Sequence, residues 1–290
     1  FVWRAGGVIA VTTANGGTAT VLALSYGERG ESGELWKERD QTEENVKRIR
    51  HGEAERAAAA LGASFGCLDF GDYPLEVTGD RLTALVEAIR DAKADVILTH
   101  TDRDPFNPDH AVAFFAVERA RSLAAGAGVA SAFDTVTPPA LLLFEPHQPE
   151  LSNFVPTTFV DITDVIEQKR AAMNEMKAQA YLVQYYDQRA AQRGNHARRI
   201  SGNGDVRFAE AFQRVTPQVV ATLFCSGAPF TSAPADLDVI HGSFTDFLPV
   251  GFAYEDGSAI EGPQNEIAPD DIQSLRVSGT ADAGQLGVGL

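Results

Sequence analysis

Residues 100–110 read HTDRDPFNPDH and put two histidines and three aspartates into eleven positions, directly after the apolar run ADVILT. Imidazole and carboxylate together are the groups that hold a divalent metal of the zinc kind, and imidazole also moves protons near neutral pH. Pro105 and Pro108 stiffen the loop, and Asn107 and Asp109 suit turns. His110 stands where a helix would begin, so its ring can turn back toward the strand end. The same residues also read as a plain turn, with Asp109 capping the helix and His110 on the surface. His100 at the strand tip weighs against that plain reading.

Two further polar loops could join this one. Residues 25–36, SYGERGESGELW, carry Glu28, Arg29 and Glu31 among glycines that permit tight turns. A carboxylate there is a general base or simply the partner of Arg29. Residues 145–150, EPHQPE, hold His147 between two prolines, as a catalyst or as a hydrogen-bonded loop histidine. His51, His196 and His241 have no such company and read as structural, and Cys67, inside an apolar run, reads as buried and inert.

The elements between these loops must bring them together. Residues 2–14 have apolar positions at helical spacing and end at NGG, and TATVLALSYG follows as a strand. Residues 42–62 predict a long helix capped by Thr42 and stopped at Gly62. SFGCLDFGD then reads as a short strand, DRLTALVEAIRDAK as an amphipathic helix and ADVILTH as a strand buried on both faces. Residues 109–126 predict a helix, PALLLFEP and TTFVDIT strands, and DVIEQKRAAMNEMKAQA a helix capped by Asp164 or Thr163. Residues 180–215 are polar and helical in part. Strands alternating with helices predict a Rossmann-like α/β fold: an open, mainly parallel sheet with helices on both faces and ligands at the carboxyl ends of the strands. All three polar loops follow strands, so they can converge at one edge. In this pattern TATVLALSYG is a second strand, and the first is expected before Phe1.

Composition narrows the partners. The 290 residues suit one large domain or two small ones, and 44% apolar content supports a full core. With 24 basic and 40 acidic residues the net charge is −16, which repels nucleic acid and anionic membranes. An anionic substrate stays possible, because a few arginines in a cleft set the local potential. Cys67 and Cys225 are too few and too distant for a disulfide framework, so a reducing, cytoplasmic setting is expected. No apolar run approaches the roughly 20 residues of a membrane span. From about Cys225 the texture turns to Gly, Ser, Pro and Asp, so residues 1–224 are expected as the catalytic domain and 225–290 as an appended segment of unassigned role.

Taken jointly, FVWRAGG, LSYGERGESGELW, GDYPL, LTHTDRDPFNPDH and FEPHQPE resemble the PIG-L (LmbE-like) superfamily of zinc-dependent enzymes, over roughly residues 1–222. Within it the pattern is similar to the branch of 4-oxalomesaconate hydratases of gallate and protocatechuate breakdown; deacetylases of the superfamily usually differ at GERGES and EPHQPE. The resemblance implies a Zn2+ cofactor held by a His and an Asp at the end of the first strand and by a later His that matches His110. The first pair would fall before Phe1, so the chain starting at Phe1 is expected to bind zinc poorly and to be nearly inactive. The resemblance further implies Glu31 as the base for water and His147 as proton donor or substrate-orienting partner. A substrate with three carboxylates needs cationic clamps, sought in Arg4 and Arg29, with Tyr73 and Asn107 as hydrogen-bonding neighbours. A homo-oligomer is expected.

Two other functions compete. A zinc-dependent N-acetyl deacetylase of the LmbE type would use the same fold and metal, with an additional Asp as base in the first-strand motif. A non-catalytic binding module would leave Glu31 and His147 without measurable effect.

Overall fold

The computed structural model describes residues 1–218, together with the backbone of two short antiparallel strands, Val239–Ile240 and Leu275–Arg276. The chain forms two compact units, Phe1–Val220 and Ala221–Leu290. The remaining residues of the expected appended segment, 225–290, with Cys225 and His241, lie outside the described residues.

In the first unit the order is α1 (Val2–Ala14), β1 (Thr20–Ala23), α2 (Glu43–Ala60), β2 (Ser64–Cys67), α3 (Asp80–Ala92) and β3 (Val96–Thr99). There follow α4 (Pro108–Ala124), β4 (Ala140–Phe144), β5 (Thr158–Asp161), α5 (Ile166–Glu175), α6 (Val183–Ser201) and β6 (Ala209–Arg214). β1 pairs in parallel with β2, Val21 opposite Phe65, and β3 in parallel with β4, Ile97 opposite Leu141. β6 runs antiparallel between β4 and β5, so β3, β4 and β5 share one direction and β6 alone opposes them.

The apolar run of β4 shows why both faces of the sheet are covered. Leu141 and Leu143 pack with Phe114 of α4, whereas Leu142 between them packs with Ala5 of α1 and Phe212. A strand alternates its side chains, so a run with no polar position must meet apolar layers on both sides. One layer is α3 and α4, whose Leu85, Val86, Ile89 and Ala120 form a core that Ile97 joins from β3 and Leu24 and Leu68 join from just beyond β1 and β2. The other joins α1, α2, α5 and α6 through Val2, Trp3, Ala57, Leu61, Met173 and Tyr186.

α1 is tied into this second layer by a buried ion pair. Lys169 of α5 and Glu210 of β6 are 1% and 4% exposed and meet at 2.6 Å. Lys169 Nζ also donates to the carbonyl of Trp3 at 3.0 Å, while the two Glu210 oxygens accept from the amides of Gly7 and Val8 at 2.7 and 2.8 Å. A Cβ on Gly7 would come within 2.6 Å of the Ile162 side chain, so only glycine lets α1 approach this closely.

Three sequence expectations need correction. Residues 180–215 hold not only a helix but also the strand β6, whose apolar run is interrupted by Glu210; a charge inside a strand hid it from the pattern. Neither Thr163 nor Asp164 caps α5: a 3-10 turn, Thr163–Val165, precedes it, and Thr163 Oγ1 binds Asp161 and the amides of Arg207 and Phe208. That helix also stops at Glu175, before a 3-10 segment, Lys177–Leu182, that leads into α6. Thr42 does cap α2, accepting from the amide of Asn45 at 3.2 Å.

Candidate active site

The loop after β3 is built around Asn107 rather than Asp109. Asn107 is the N-cap of α4, its Oδ1 accepting from the amide of Asp109 at 3.1 Å with Pro108 in the first turn, where a missing N–H costs nothing. Asp109 reaches out of the helix instead and accepts from the amides of Tyr73 and Leu75 at 2.8 and 3.1 Å. The cap thus corrects the reading of Asp109, and the freed carboxylate fixes the Tyr73 loop against α4. In the first turn of the helix, His110 points Nδ1 at Asp104 Oδ2, 2.8 Å away.

Because a carboxylate only accepts, His110 carries its proton on Nδ1 and leaves the Nε2 lone pair free. His100 stacks on His110 with ring centroids 3.8 Å apart, and its Nδ1 lies 3.3 Å from Arg4 Nη1. A guanidinium only donates, so His100 accepts at Nδ1. Burial, the neighbouring His110 and Arg4 push the His100 pKa well below the ordinary value. Burial lowers that of His110 as well, against the opposing pull of Asp104.

The loop after β1 brings Glu31 to the same edge. Its Oε1 accepts from Asn107 Nδ2 and its Oε2 from Gln179 Nε2, both at 2.7 Å. Gln179 is fixed in turn because its Oε1 accepts from Arg50 Nη2 at 3.0 Å and from Trp3 Nε1 at 3.4 Å. The loop itself is pinned by Asp72, whose carboxylate accepts from the amides of Arg29 and Gly30. A Cβ on Gly30 would lie 2.1 Å from the Tyr73 ring, so this position takes glycine for close approach.

Glu28 and Arg29 turn away from this centre. Glu28 is fully buried, with Oε2 accepting from the amide of Tyr26, Oε1 without a hydrogen bond and Lys47 Nζ 3.6 Å from it. Burial raises its pKa. Arg29 pairs with the exposed Glu43 and donates to the carbonyl of Asp72, not to Glu28 or Glu31. Cys67 is half-buried rather than fully buried, and burial raises its thiol pKa, in keeping with an inert group.

His147 enters from the loop after β4. Its ring stacks on Tyr185 with centroids 4.1 Å apart, and its Nδ1 is 3.5 Å from the Tyr186 hydroxyl. Arg4 Nε donates to that same hydroxyl at 3.3 Å, which links His147 through Tyr186 and Arg4 to His100 and His110. Burial, then Arg4 and Arg189, lower the His147 pKa, so the ring is neutral at neutral pH. The preceding Glu145 is held by Arg193 and Arg189. Arg4, Lys169, Arg189 and Arg193 line one small cavity with only Glu145 and Glu210 against them, a local excess of cations in a chain of net charge −16. Among the described residues Arg4 has no carboxylate partner.

Of the residues singled out in the sequence, the structure links Glu31, Asn107, His110, Arg4 and His147 into one cluster. Tyr73 stands at its rim, 42% exposed, and Arg29 lies outside. Gln179, Tyr186, Arg189 and Asp104 were missed as individuals. Asp104 falls in the acid- and imidazole-rich loop already noted, and Arg189, one helical turn after Tyr185, carries the i, i+4 spacing. His51 packs edge-on against Tyr26 and Phe65, and His196 contacts Arg193, so neither joins this cluster.

The described residues fit a zinc centre only in part. His110 offers a free Nε2 backed by a carboxylate, a common arrangement for a metal-bound histidine. Yet among the described residues no three His, Cys, Asp or Glu side chains converge as a cation cage. They do not compose the three-ligand centre that the resemblance implies. Among the described residues there is also no helix long and apolar enough to cross a membrane.

A mainly parallel α/β sheet with imidazoles and a carboxylate at its strand ends is the architecture of a hydrolytic or hydrating enzyme of the PIG-L type, and the chain belongs to the PIG-L family. The family model, described as GlcNAc-PI de-N-acetylase, matches residues 1–121. The chain is 41% identical over 226 residues to the 4-oxalmesaconate hydratase of Pseudomonas putida, covering 77% of this chain and 88% of that one. The crystal structure of the 4-carboxy-2-hydroxymuconate hydratase from the same species superposes with a TM-score of 0.75 at 41% identity, over 77% of this chain and 95% of that one. An N,N'-diacetylchitobiose deacetylase from Pyrococcus horikoshii shares the fold at a TM-score of 0.61 and 19% identity, over 73% of this chain and 78% of that one.

Proposed function

We propose that this protein is a hydro-lyase that adds water to 4-oxalomesaconate, a conjugated tricarboxylate, in the breakdown of aromatic acids. The observation that carries the reading is the Glu31 carboxylate held between Asn107 and Gln179 at the strand ends, in a chain 41% identical to a hydratase of that substrate. Adding water to a conjugated alkene needs a base that takes a proton from water while oxygen bonds to the activated carbon. It also needs a donor at the oxygen on which negative charge develops, and a proton for the neighbouring carbon.

Glu31 serves as the base: two amide donors fix its orientation, each oxygen retains a lone pair for water, and the proton it takes from water is the one passed to the neighbouring carbon as the enolate collapses. His147, neutral and stacked on Tyr185, orients the substrate and hydrogen-bonds the developing enolate; its lowered pKa favours this role over donation from an imidazolium. Arg4, lacking a carboxylate partner among the described residues, binds a substrate carboxylate, and Tyr73 at the rim covers it. In this reading Arg29 stays with Glu43 and contributes little. His110 would be a ligand for Zn2+, the cofactor this family reading brings.

The test follows the absorbance of the conjugated substrate on addition of the full-length protein, with and without supplied Zn2+, beside release of acetate from an N-acetylglucosamine derivative. Loss of conjugation without acetate release is expected. Acetate release with the tricarboxylate untouched would overturn the reading in favour of a deacetylase.

A further inference from the structure

Two tyrosines adjacent in α6 each sit between an arginine and His147. Arg4 Nε donates to the Tyr186 hydroxyl at 3.3 Å, and that hydroxyl lies 3.5 Å from His147 Nδ1. Arg189 Nη2 donates to the Tyr185 hydroxyl at 2.5 Å, and that hydroxyl donates to the backbone carbonyl of His147. A guanidinium has no acceptor, so in each case it takes a lone pair of the phenol oxygen and leaves the phenolic proton for another partner. The partner of Tyr185 is an oxygen that can only accept. The partner of Tyr186 is a ring nitrogen that can accept only if it carries no proton. Tyr186 is buried, 5% exposed, and burial raises its pKa, so the hydroxyl keeps its proton.

From this geometry we infer that Tyr186, oriented by Arg4, is a positioning residue that fixes His147 as the tautomer protonated on Nε2, with the Nε2–H directed away from α6 into the site. Tyr185 and Arg189 hold the backbone and stack the ring, so that orientation and tautomer are set by separate relays. Fixing the tautomer decides what His147 can do. A neutral ring protonated on Nε2 presents a donor to substrate oxygen, whereas the other tautomer would present a lone pair. The consequence for turnover rests on the hydratase reading; the tautomer itself does not.

The test is a long-range proton–nitrogen correlation spectrum of 15N-histidine-labelled full-length protein above neutral pH, with the His147 signals assigned by their loss in His147→Asn. Wild type is expected to show a pyrrole-type Nε2 and an unprotonated Nδ1. In Tyr186→Phe the Nδ1-protonated form should rise about fivefold or more, the effect of losing one hydrogen bond of about 1 kcal/mol. The same variant should lower kcat by up to about fivefold, the most that this tautomer shift can remove, with little change in KM, since the donor acts on charge that develops in the transition state. A wild-type spectrum with the proton on Nδ1, which needs no variant, would overturn the inference, as would an unchanged tautomer in Tyr186→Phe. A changed tautomer with hydration rate intact would instead remove His147 from the proposed mechanism and leave the relay standing.

Discussion

The carboxylate of Glu31 and the side-chain amide of Asn107 meet at 2.7 Å across 76 positions of sequence, so the N-cap of α4 is also the clamp on the proposed base. One residue thereby couples the entry angle of the helix that carries His110 to the orientation of the loop that carries Glu31. Asn107 uses both ends of its amide in this, Oδ1 for the cap and Nδ2 for the clamp.

Glu31→Gln tests the base. An amide cannot accept from both Asn107 and Gln179 through its two ends, because one end then faces donor to donor. Turnover should fall about 10²- to 10⁴-fold, the range for losing a general base. Stability should drop by about 1–3 kcal/mol for the unmatched amide. Steady-state hydration rates beside urea unfolding check both, and unimpaired turnover would exclude Glu31 as base.

The two arginines read from the sequence as carboxylate clamps should separate. Arg4→Ala removes a cation that no described carboxylate neutralises, and KM should rise about 10- to 100-fold, as for a charge-assisted hydrogen bond of about 1.5–3 kcal/mol. Arg29→Ala removes an exposed pair with Glu43 and should move KM about twofold or less. Equal effects of the two would contradict the assignment of Arg4.

Lys169→Met probes the buried pair under α1. It leaves Glu210 charged and short of one partner in a site with almost no solvent, which costs about 3–5 kcal/mol. Because Lys169 also binds the carbonyl of Trp3, next to Arg4, the loss should reach the site as well. Chemical denaturation gives the stability change; a loss below about 1 kcal/mol would mean that the two amides of α1 satisfy Glu210 alone.

Acid should weaken the fold partly through His147. Its pKa lies below the ordinary 6.5 because the ring is buried and faces Arg4 and Arg189, against which Asp104 and Glu31 only partly compensate. The folded value is the lower one, so the unfolded chain takes up the proton first. The stability due to the neutral ring is complete above the unfolded pKa and lost as pH falls through the folded one. As pH falls below 6.5 the midpoint of denaturation should fall more steeply for wild type than for His147→Asn. Parallel curves would show that His147 does not resist protonation.

Much of the fold and the identity of the site loops were legible in the sequence, because period and punctuation are local properties. ALLLF has no polar position and so had to be a strand covered on both faces, and Thr42 and the Ala-rich stretch after it had to make α2; ADVILT, which carries Asp95 and Thr99, does form β3, but Val96 is 50% exposed, so that strand is not covered on both faces as expected. His110 is marked, with His100, by a loop rich in acid and imidazole at a strand end, whereas Glu31 and His147 are marked only by the family resemblance.

Tertiary structure alone decided the partners. Nothing near Gln179 in the sequence marks it as a clamp for Glu31, nor Tyr186 as a bridge from Arg4 to His147, since those contacts span 148, 182 and 39 positions. Glu210 reads as a surface charge until Lys169 and two amides of α1 close around it. Sequence pattern records whether a residue is buried or turned, which depends on its neighbours along the chain. Which donor meets which acceptor depends on how the layers dock, and that is set by all of them together.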